Sequence, residues 1–394
     1  MVRPISVHAA RWINQVAEEG WDLHLFPAFE APLHPAFKNV TAYSLMRRRT
    51  TPGSGIRQRA LWPLPVGGDR MQMLARRLPE RWGERAAWLA RVIRRLRPDM
   101  VHSLEFQQPG YLTLRARSFY EGRFPLWVTS NWGSDIYLYG PLAAHGEKIR
   151  GILEGCDYYT CECHRDVKLA REYGFRGEAL PVLPVAGGFH IEKMREYRQP
   201  GPTSARRVIS LKGYQHWAGR ALVGLRAIER CADVLQAGGY TVAVYSAGED
   251  VRIAAERMAI ATGLRLEIVP EGSHEEMLRL QGRTRVAVGL SISDGLSTSA
   301  LEALVMGAFP VQSDTSCLDE ELVRDGETAL LVPAETPEAV AAAIRRAVTD
   351  DELVDRAVAA NDRVAASRLD YSVIRPQVVA MYERIAARAR GEGV

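Results

Sequence analysis

The chain has 394 residues, of which 47% are hydrophobic and 25% are charged, and its formal net charge at pH 7 is only +4. This composition excludes an intrinsically disordered chain, and the small net charge gives no reason to expect nucleic acid as a partner. A chain of this length exceeds what a single hydrophobic core usually organises, so we expect two domains.

Signals for the membrane and for secretion are missing from the sequence pattern. No run of about 18 uncharged apolar residues occurs, so no membrane-spanning helix is expected. His8, Arg11 and Asn14 interrupt the stretch where the apolar centre of a signal peptide would lie. We therefore expect a cytoplasmic protein.

The cysteines indicate neither a disulfide framework nor a metal centre. Their number is odd and small for the length: Cys156, Cys161, Cys163, Cys231 and Cys317. Cys161, Cys163 and His164 lie close together, but one-residue spacing between cysteines suits zinc poorly. We interpret them as ordinary cysteines at strand ends and predict no metal.

In the first half of the chain, apolar runs alternate with helical patterns. A doubly wound domain normally opens with a strand. Here the apolar stretch before the first helical pattern, at 11–19, is short and consists only of Ile5, Ser6 and Val7. Strands are predicted at 22–26, 100–103, 126–129 and 158–161, and a helix at 165–173 ends at Gly174. This order predicts parallel sheets built from strand–helix–strand units.

A basic amphipathic segment occupies residues 71–97, after three arginines at 47–49. Apolar residues alternate there with Arg76, Arg77, Arg81, Arg85, Arg91, Arg94, Arg95 and Arg97. The pattern is typical of a solvated helix face packed on a core, which is the interpretation we favour. The alternative is peripheral contact with the anionic inner face of a membrane.

The second half of the chain begins after a break in the periodicity. Residues 197–205 are rich in turn formers, so we predict the domain boundary there. Strands are then predicted at 207–211, 241–246, 264–269, 286–290, 309–312 and 329–332, with a helix at 338–348 that Thr336 and Pro337 open. A last helix at 371–389 follows Asp370 as its cap, and Pro376 should kink or delay it.

These elements predict an α/β protein with two doubly wound, Rossmann-like domains. The domains are expected at 1–197 and 206–370, with a final helix at 371–394 that crosses back to the first domain. Ligands of such sheets bind outside the carboxyl ends of the strands, so we expect the site in a cleft between the domains.

A turn of small residues between a strand and a helix predicts a site for a diphosphate. It reads Asp294-Gly295-Leu296-Ser297-Thr298-Ser299, and the helix that follows contains Glu302. Unpaired amides and the positive end of the helix dipole favour an anion at such a helix start. Two structural alternatives remain open: Ser299 and Glu302 match a capping box, and Asp294-Gly295 matches a simple turn.

This segment resembles the signature of retaining glycosyltransferases of family 4, in which Glu-Gly-Phe-Gly precedes a second glutamate by seven intervening residues. Here Asp294 stands in the first carboxylate position and Glu302 in the second, and Gly307, Pro310 and Asp325-Gly326 follow as in the family. The likeness covers roughly the last third of the chain. It implies the GT-B fold, no cofactor, and a nucleotide diphosphate sugar, UDP- or GDP-linked, as the donor substrate.

The resemblance also implies roles for individual residues. Asp294 would contact the donor sugar, Glu302 the ribose, and the amides from Gly295 and Leu296 to Ser297 and Thr298 the diphosphate. Lys212 and Arg220 match the basic pair that neutralises the leaving diphosphate, although Arg220 is more distant than usual and its alternative is a solvated first-turn arginine. Asp294 is about one methylene shorter than the usual glutamate.

Three further segments match the family less closely. Glu271 and Gly272 resemble the loop beside the nucleotide base, and a tight turn with a helix cap is the alternative. Trp132 to Asp135 resemble a His-Gly-Thr-Asp turn, with Trp132 in place of the histidine that touches the donor sugar. His102, at a strand end, is a candidate to lie nearby, and a structural role is its alternative.

The resemblance thus implies a bacterial, retaining, metal-independent glycosyltransferase for a hexose-type sugar, in glycan, polysaccharide or glycolipid biosynthesis. The acceptor would be a glycan, a lipid-linked molecule or a small molecule. Two alternatives remain: a nucleotide-sugar epimerase of the same fold, and a non-catalytic partner in a polysaccharide assembly that binds sugar nucleotides.

Overall fold

The computed structural model describes residues 7–29, 32–44, 55–60 and 84–392. The chain divides into two compact units, one formed by Met1–Gly187 with Ile374–Val394 and the other by Gly188–Val373. Ile5, Ser6, the arginines at 47–49 and the basic segment up to residue 83 lie outside the described residues. Within the described ranges, no helix is both long enough and apolar enough to cross a membrane.

The described residues of the first unit form two parallel sheets. Its strands are β1 His24–Leu25, β2 Thr41–Ser44, β3 Arg57–Ala60, β4 Met100–Leu104, β5 Leu126–Ser130, β6 Tyr158–Thr160 and β7 Glu178–Ala179. They pair in the orders β1-β2-β3 and β4-β5-β6-β7. All of these pairings are parallel, as the alternation of apolar runs and helical patterns predicts.

Helices cover these sheets. They are α1 Val7–Asn14, α2 Arg85–Leu96, α3 Tyr111–Ser118, α4 Ser134–Tyr137, α5 Ala143–Gly155 and α6 His164–Glu172, with a π-helical turn at Phe106–Gly110. Helix α2 is the described part of the basic segment. It buries Leu89, Ala90 and Ile93 while Arg94 and Arg95 are exposed, as expected for an arginine-rich face of a packed helix. Contact with a membrane stays a prediction.

The second unit has one six-stranded parallel sheet. Its strands are β8 Val208–Lys212, β9 Thr241–Tyr245, β10 Arg265–Val269, β11 Val286–Gly289, β12 Phe309–Ser313 and β13 Leu330–Val332, in the order β10-β9-β8-β11-β12-β13. The chain order therefore reverses between β8 and β11. Because these neighbours are parallel, their carboxyl ends lie at the same edge, which is where such sheets bind ligands.

Nine described helices surround this sheet and bury it on both faces. They are α7 Ile191–Arg195, α8 Ala221–Glu229, α9 Ala232–Ala237, α10 Glu249–Thr262, α11 His274–Arg283, α12 Thr298–Val305, α13 Leu318–Glu321, α14 Pro337–Thr349 and α15 Asp351–Arg368. Val244, Val286, Val288 and Phe309 are fully or almost fully buried. Burial on both faces explains why the strands read as continuous apolar runs rather than as alternating ones.

Residues 197–205, where we predict the domain boundary, lie within the second unit, which begins at Gly188. Arg198 forms an ion pair with Asp362 and donates from its Nε to the carbonyl oxygen of Val305 at 3.0 Å. The hydroxyl of Thr203 donates to the carbonyl oxygen of Gly307 at 2.8 Å. Turn formers therefore mark a bend that the second unit holds by hydrogen bonds, and not a linker.

The last helix, α16 Tyr371–Ala389, packs on the first unit, as predicted. A buried stripe at helical spacing, Ile374, Val378, Met381 and Ile385, joins the core there. Pro376 does not delay the helix, which begins at Tyr371 and continues through the proline, and a kink there stays a prediction. Pro376 lies only five residues from the start, so the helix loses a single early amide hydrogen bond.

One residue at the end of β4 has a strained backbone. Glu105 has φ 87° and ψ 148°, a region that glycine enters readily and that costs other residues of order 1–3 kcal/mol. Its amide donates to the carbonyl oxygen of Ser130 at 3.1 Å, and its own carbonyl oxygen accepts from Gly110 at 3.0 Å. These bonds on both sides hold the conformation in place.

We expect the variant Glu105→Gly to be more stable than Glu105→Ala by about 1 kcal/mol. Both variants remove the same carboxylate, but only glycine relieves the strain at positive φ. Urea unfolding of the two variants measures the difference directly. Equal stabilities, or a more stable alanine variant, would show that the backbone at this position stores no strain.

Candidate functional site

The carboxyl end of β8 and the start of α12 come together in the second unit. The ammonium of Lys212 donates to the hydroxyl of Ser297 at 3.2 Å and lies 4.5 Å from the centroid of the Tyr214 ring. Ser297 immediately precedes α12, and its hydroxyl makes no capping bond to the amides of the first turn. A cation therefore lies at the positive end of an eight-residue helix, which is an arrangement suited to an anion.

Burial and nearby carboxylates act on Lys212 in opposite directions. Loss of hydration lowers the pKa of its ammonium below the ordinary value of 10.5, while the charges of Asp294 and Glu302 raise it. The net shift is downward, so the attraction of the two carboxylates does not fully offset the hydration that the ammonium loses on burial. A bound diphosphate would add negative charge beside the ammonium and stabilise its protonated form.

Glu302 points from α12 towards α11. It is 7% exposed, and its Oε1 atom accepts a hydrogen bond from Nε2 of His274 at 2.8 Å. The capping-box alternative for Ser299 and Glu302 is therefore not realised. Ser297, not Ser299, is the residue before the helix, and the two serine hydroxyls bond to each other at 2.9 Å.

Asp294 and Gly295 form a local turn beside the same helix start. The amide of Gly295 donates to Oδ1 of Asp294 at 3.0 Å, and the chain bends at Gly295 and Leu296. Asp294 also lies close enough to Lys212 to raise the pKa of its ammonium. Leu296 is buried, whereas Thr298 is partly exposed at the first position of the helix. A structural turn and a charged site thus coexist in this segment.

Arg220 does not stand beside Ser297 in the way that Lys212 does. Its Nε atom pairs with Glu335 at 2.7 Å, and its guanidinium also donates to the carbonyl oxygens of His216, Ala218 and Gly219. Arg220 thereby ties the loop between β8 and α8 together. A role for Arg220 beside Lys212 as a catalytic cation stays a prediction.

The loop before α11 carries a capping box, which was the alternative for Glu271 and Gly272. The Ser273 hydroxyl accepts from the amide of Glu276 at 3.2 Å, and Glu276 accepts from the amide of Ser273 at 2.6 Å. Glu271 and Gly272 precede this cap and are exposed. A contact between these two residues and a nucleotide base stays a prediction.

In the first unit, the carboxylate of Asp135 serves the backbone. It is 4% exposed and accepts from the amides of Phe106 at 2.9 Å and Trp132 at 3.0 Å. It thereby joins the segments that follow β4 and β5. A substrate contact by Asp135 or Trp132 stays a prediction, and Trp132 packs at the edge of the apolar core.

His102 belongs to a hydrogen-bond network with α16. Its Nδ1 bonds to the hydroxyl of Tyr382 at 2.6 Å and its Nε2 to the hydroxyl of Ser130 at 2.7 Å, and Tyr382 also accepts from Trp12 at 2.9 Å. Burial lowers the pKa of His102 to about 3, so the ring is neutral at pH 7. These hydrogen bonds agree with the structural alternative for His102, and a position near the donor sugar stays a prediction.

Sequence reasoning missed three side chains around Lys212 and Glu302. Tyr214 lies against the Lys212 ammonium, and His274 bonds to Glu302. The pKa of His216 is lowered by burial first and then by the charges of Lys212 and Arg220, which places it within reach of both. Only the position of His274, directly after the predicted cap, offered a signal in the sequence.

The cysteines are buried thiols with no disulfide among them. The Sγ atom of Cys161 donates to the carbonyl oxygen of Cys163 at 3.1 Å, and burial raises the pKa of the Cys161 thiol. Within the part of the chain that the structure describes, no three His, Cys, Asp or Glu side chains cluster as metal ligands would.

Part of the second unit is similar in sequence to known glycosyltransferases. Residues 228–363 match the model of the family described as glycosyl transferases group 1. The phosphatidyl-myo-inositol mannosyltransferases of Mycobacterium tuberculosis and Mycobacterium bovis are 36% identical over 90 residues. That stretch is 22% of this chain and 23% of those relatives, so the chain matches about a quarter of their length.

Solved structures resemble almost the whole chain. Sucrose-phosphate synthase from Thermosynechococcus elongatus has a TM-score of 0.66 at 14% identity, covering 98% of this chain and 99% of that one. Anabaena HepE in complex with UDP and glucose has a TM-score of 0.65 at 13% identity, covering 96% of each chain. These likenesses show the GT-B fold and confirm the predicted fold class.

The carboxylate of Asp135 predicts a pH dependence of stability. Burial, and then the neighbouring charge of Glu105, raise the pKa of Asp135 well above its ordinary value of 3.8. The folded protein therefore holds a proton that the unfolded chain releases. The stability from this group is complete below the unfolded pKa and is lost as the pH rises through the folded pKa.

We expect Asp135→Asn to reduce this loss, because asparagine keeps an oxygen for the two amides but does not titrate. The free energy of unfolding should fall less steeply above pH 4, by up to about 1.4 kcal/mol per pH unit. Urea unfolding between pH 4 and 8 gives the slope, with the exposed Glu172→Gln as the control. An unchanged slope in Asp135→Asn would contradict the raised pKa.

Proposed function

We propose that this chain is a retaining, metal-independent glycosyltransferase that moves a hexose-type sugar from a UDP- or GDP-linked donor to an acceptor. The observation that carries the proposal is Lys212 at the uncapped start of α12, with Glu302 on the same helix. The family match over residues 228–363 includes α12, and the GT-B fold is that of enzymes that act on sugar nucleotides.

In this proposal the helix start binds the diphosphate of the donor. Lys212 and the amides after Ser297 face the oxygens on which charge develops as the bond between the sugar and the diphosphate breaks. Preorganised donors aimed at developing charge are usually the largest single contribution to such a step. No metal is required if these groups balance the diphosphate.

The acceptor hydroxyl would attack the anomeric carbon on the face from which the diphosphate leaves. The bond from the anomeric carbon to the phosphate oxygen breaks, the bond to the acceptor oxygen forms, and the acceptor proton passes to the leaving diphosphate. Asp294 would position the donor sugar. The side chain of Asp294 is one methylene shorter than that of the usual glutamate, so the sugar must lie closer to the turn at Gly295.

The similar proteins suggest a range of donors and acceptors. Two of the similar structures contain UDP with glucose or UDP-glucose, which favours a UDP-linked donor here. Sucrose-phosphate synthase suggests a sugar phosphate as acceptor, and the mannosyltransferases suggest a lipid-linked one. The proposal covers glycan, polysaccharide or glycolipid biosynthesis in a bacterial cytoplasm, with contact at the inner membrane face if the acceptor is a lipid.

We expect Lys212→Ala to lower sugar transfer about 100-fold or more, since it removes the buried cation beside the leaving diphosphate. Glu302→Ala should mainly weaken donor binding. Donor hydrolysis and transfer are measured with UDP- and GDP-linked hexoses over a panel of acceptors, and Lys193→Ala, an exposed lysine of the same unit, is the control.

The same assay separates the rival functions. Near-native turnover in both Lys212→Ala and Glu302→Ala would contradict the proposed site. Epimerised donor without an acceptor would indicate a nucleotide-sugar epimerase. Tight nucleotide binding without turnover on any acceptor would indicate a non-catalytic partner in an assembly.

A further inference from the structure

We propose that His274 positions Glu302 for the ribose of the donor and thereby makes the site selective for ribonucleotides over 2′-deoxyribonucleotides. This inference rests on the proposed function, in which α12 binds the diphosphate. His274 belongs to α11, so the carboxylate on one helix is oriented by an imidazole from another.

Glu302 lies about one helical turn after the start of α12, where the diphosphate is proposed to bind. Its side chain is 9% exposed, whereas that of His274 is 46% exposed. A carboxylate buried to this degree needs hydrogen-bond donors to hold it in one orientation. The 2.8 Å bond from His274 supplies one on Oε1.

The chemistry of the pair assigns the proton. An ionised carboxylate only accepts hydrogen bonds, so Nε2 of His274 must be the donor. The imidazole N–H occupies one acceptor position of the carboxylate, on Oε1, and thereby sets the plane of the carboxylate. In the proposed site, the carboxylate held in that plane accepts from the vicinal 2′- and 3′-hydroxyls of a ribose.

His274 is itself held in place. It is the first residue of α11, directly after the capping box of Ser273 and Glu276, which fixes the backbone at the helix start. Leu278 and Leu280 anchor the following turns in the core. The backbone that carries the imidazole is thus fixed before any ligand arrives, and the bond to Glu302 orients the ring, which reduces the entropy lost when ribose binds.

The experiment measures binding of UDP and 2′-deoxy-UDP, and of GDP and 2′-deoxy-GDP, by isothermal titration calorimetry. We expect the wild-type chain to prefer the ribonucleotide of one pair by about tenfold or more, the scale of a hydrogen bond to a charged group. In His274→Ala, the Kd for the ribonucleotide should rise about tenfold. The Kd for the deoxynucleotide should change much less, so the preference largely disappears.

Two conservative variants test the positioning role. The amide nitrogen of glutamine lies where Nε2 of histidine lies, so His274→Gln should restore most of the preference. The amide nitrogen of asparagine corresponds to Nδ1 and does not reach Glu302, so His274→Asn should behave like His274→Ala. Glu275→Ala, which removes a surface partner of Arg279 on the same turn, is the matched control.

The outcomes separate this inference from the proposed function. If wild-type protein binds none of the four nucleotides, the proposed function fails. If it binds them but His274→Ala and His274→Asn keep the ribose preference, only the role of His274 is overturned. Equal weakening of both nucleotides of a pair would also overturn it, because that result indicates a purely structural residue. Should His274→Ala fail to fold, His274→Asn against His274→Gln gives the same comparison.

Discussion

The contact between the Lys212 ammonium and the Ser297 hydroxyl is the interaction on which the candidate site depends. It joins the end of one strand to the start of a helix that follows the neighbouring strand. A buried ammonium without a full counter-charge is unfavourable, and the lowered pKa of Lys212 expresses that imbalance. An anionic ligand at the same helix start would relieve it, so the same feature that costs folding free energy favours binding.

The sheet order explains why this contact exists. Strands β8 and β11 are neighbours although more than seventy residues of chain separate them, because β9 and β10 lie on the other side of β8. Helix α11 returns the chain to β11 and brings His274 against Glu302. The site is thus composed of the end of β8 and the starts of α11 and α12. Only the strand order of the parallel, doubly wound sheet places these three together.

The first unit shows how polar residues near a predicted site serve the fold. Asp135 and His102 lie at or after strand ends, where ligands of such sheets bind, yet their hydrogen bonds go to backbone amides, to Ser130 and to Tyr382. The return of α16 explains part of this, because Tyr382 lies 280 residues after His102 in sequence. No local pattern around His102 could have indicated that partner.

The sequence by itself determined most strands, the parallel α/β class and the segment from Asp294 to Glu302, because apolar runs, small-residue turns and helix caps act over a few neighbouring residues. It missed β2, β3 and β7, which are short, and β3 is also polar and exposed, so none of them carries an apolar run. It predicted a domain boundary at 197–205, because turn formers mark a bend whether or not a domain ends there. The tertiary structure alone decided that Arg220 pairs with Glu335, that His274 holds Glu302 and that His102 faces Tyr382. Each of those contacts joins residues distant in sequence, and such a distance is closed only when the whole sheet and its helices pack.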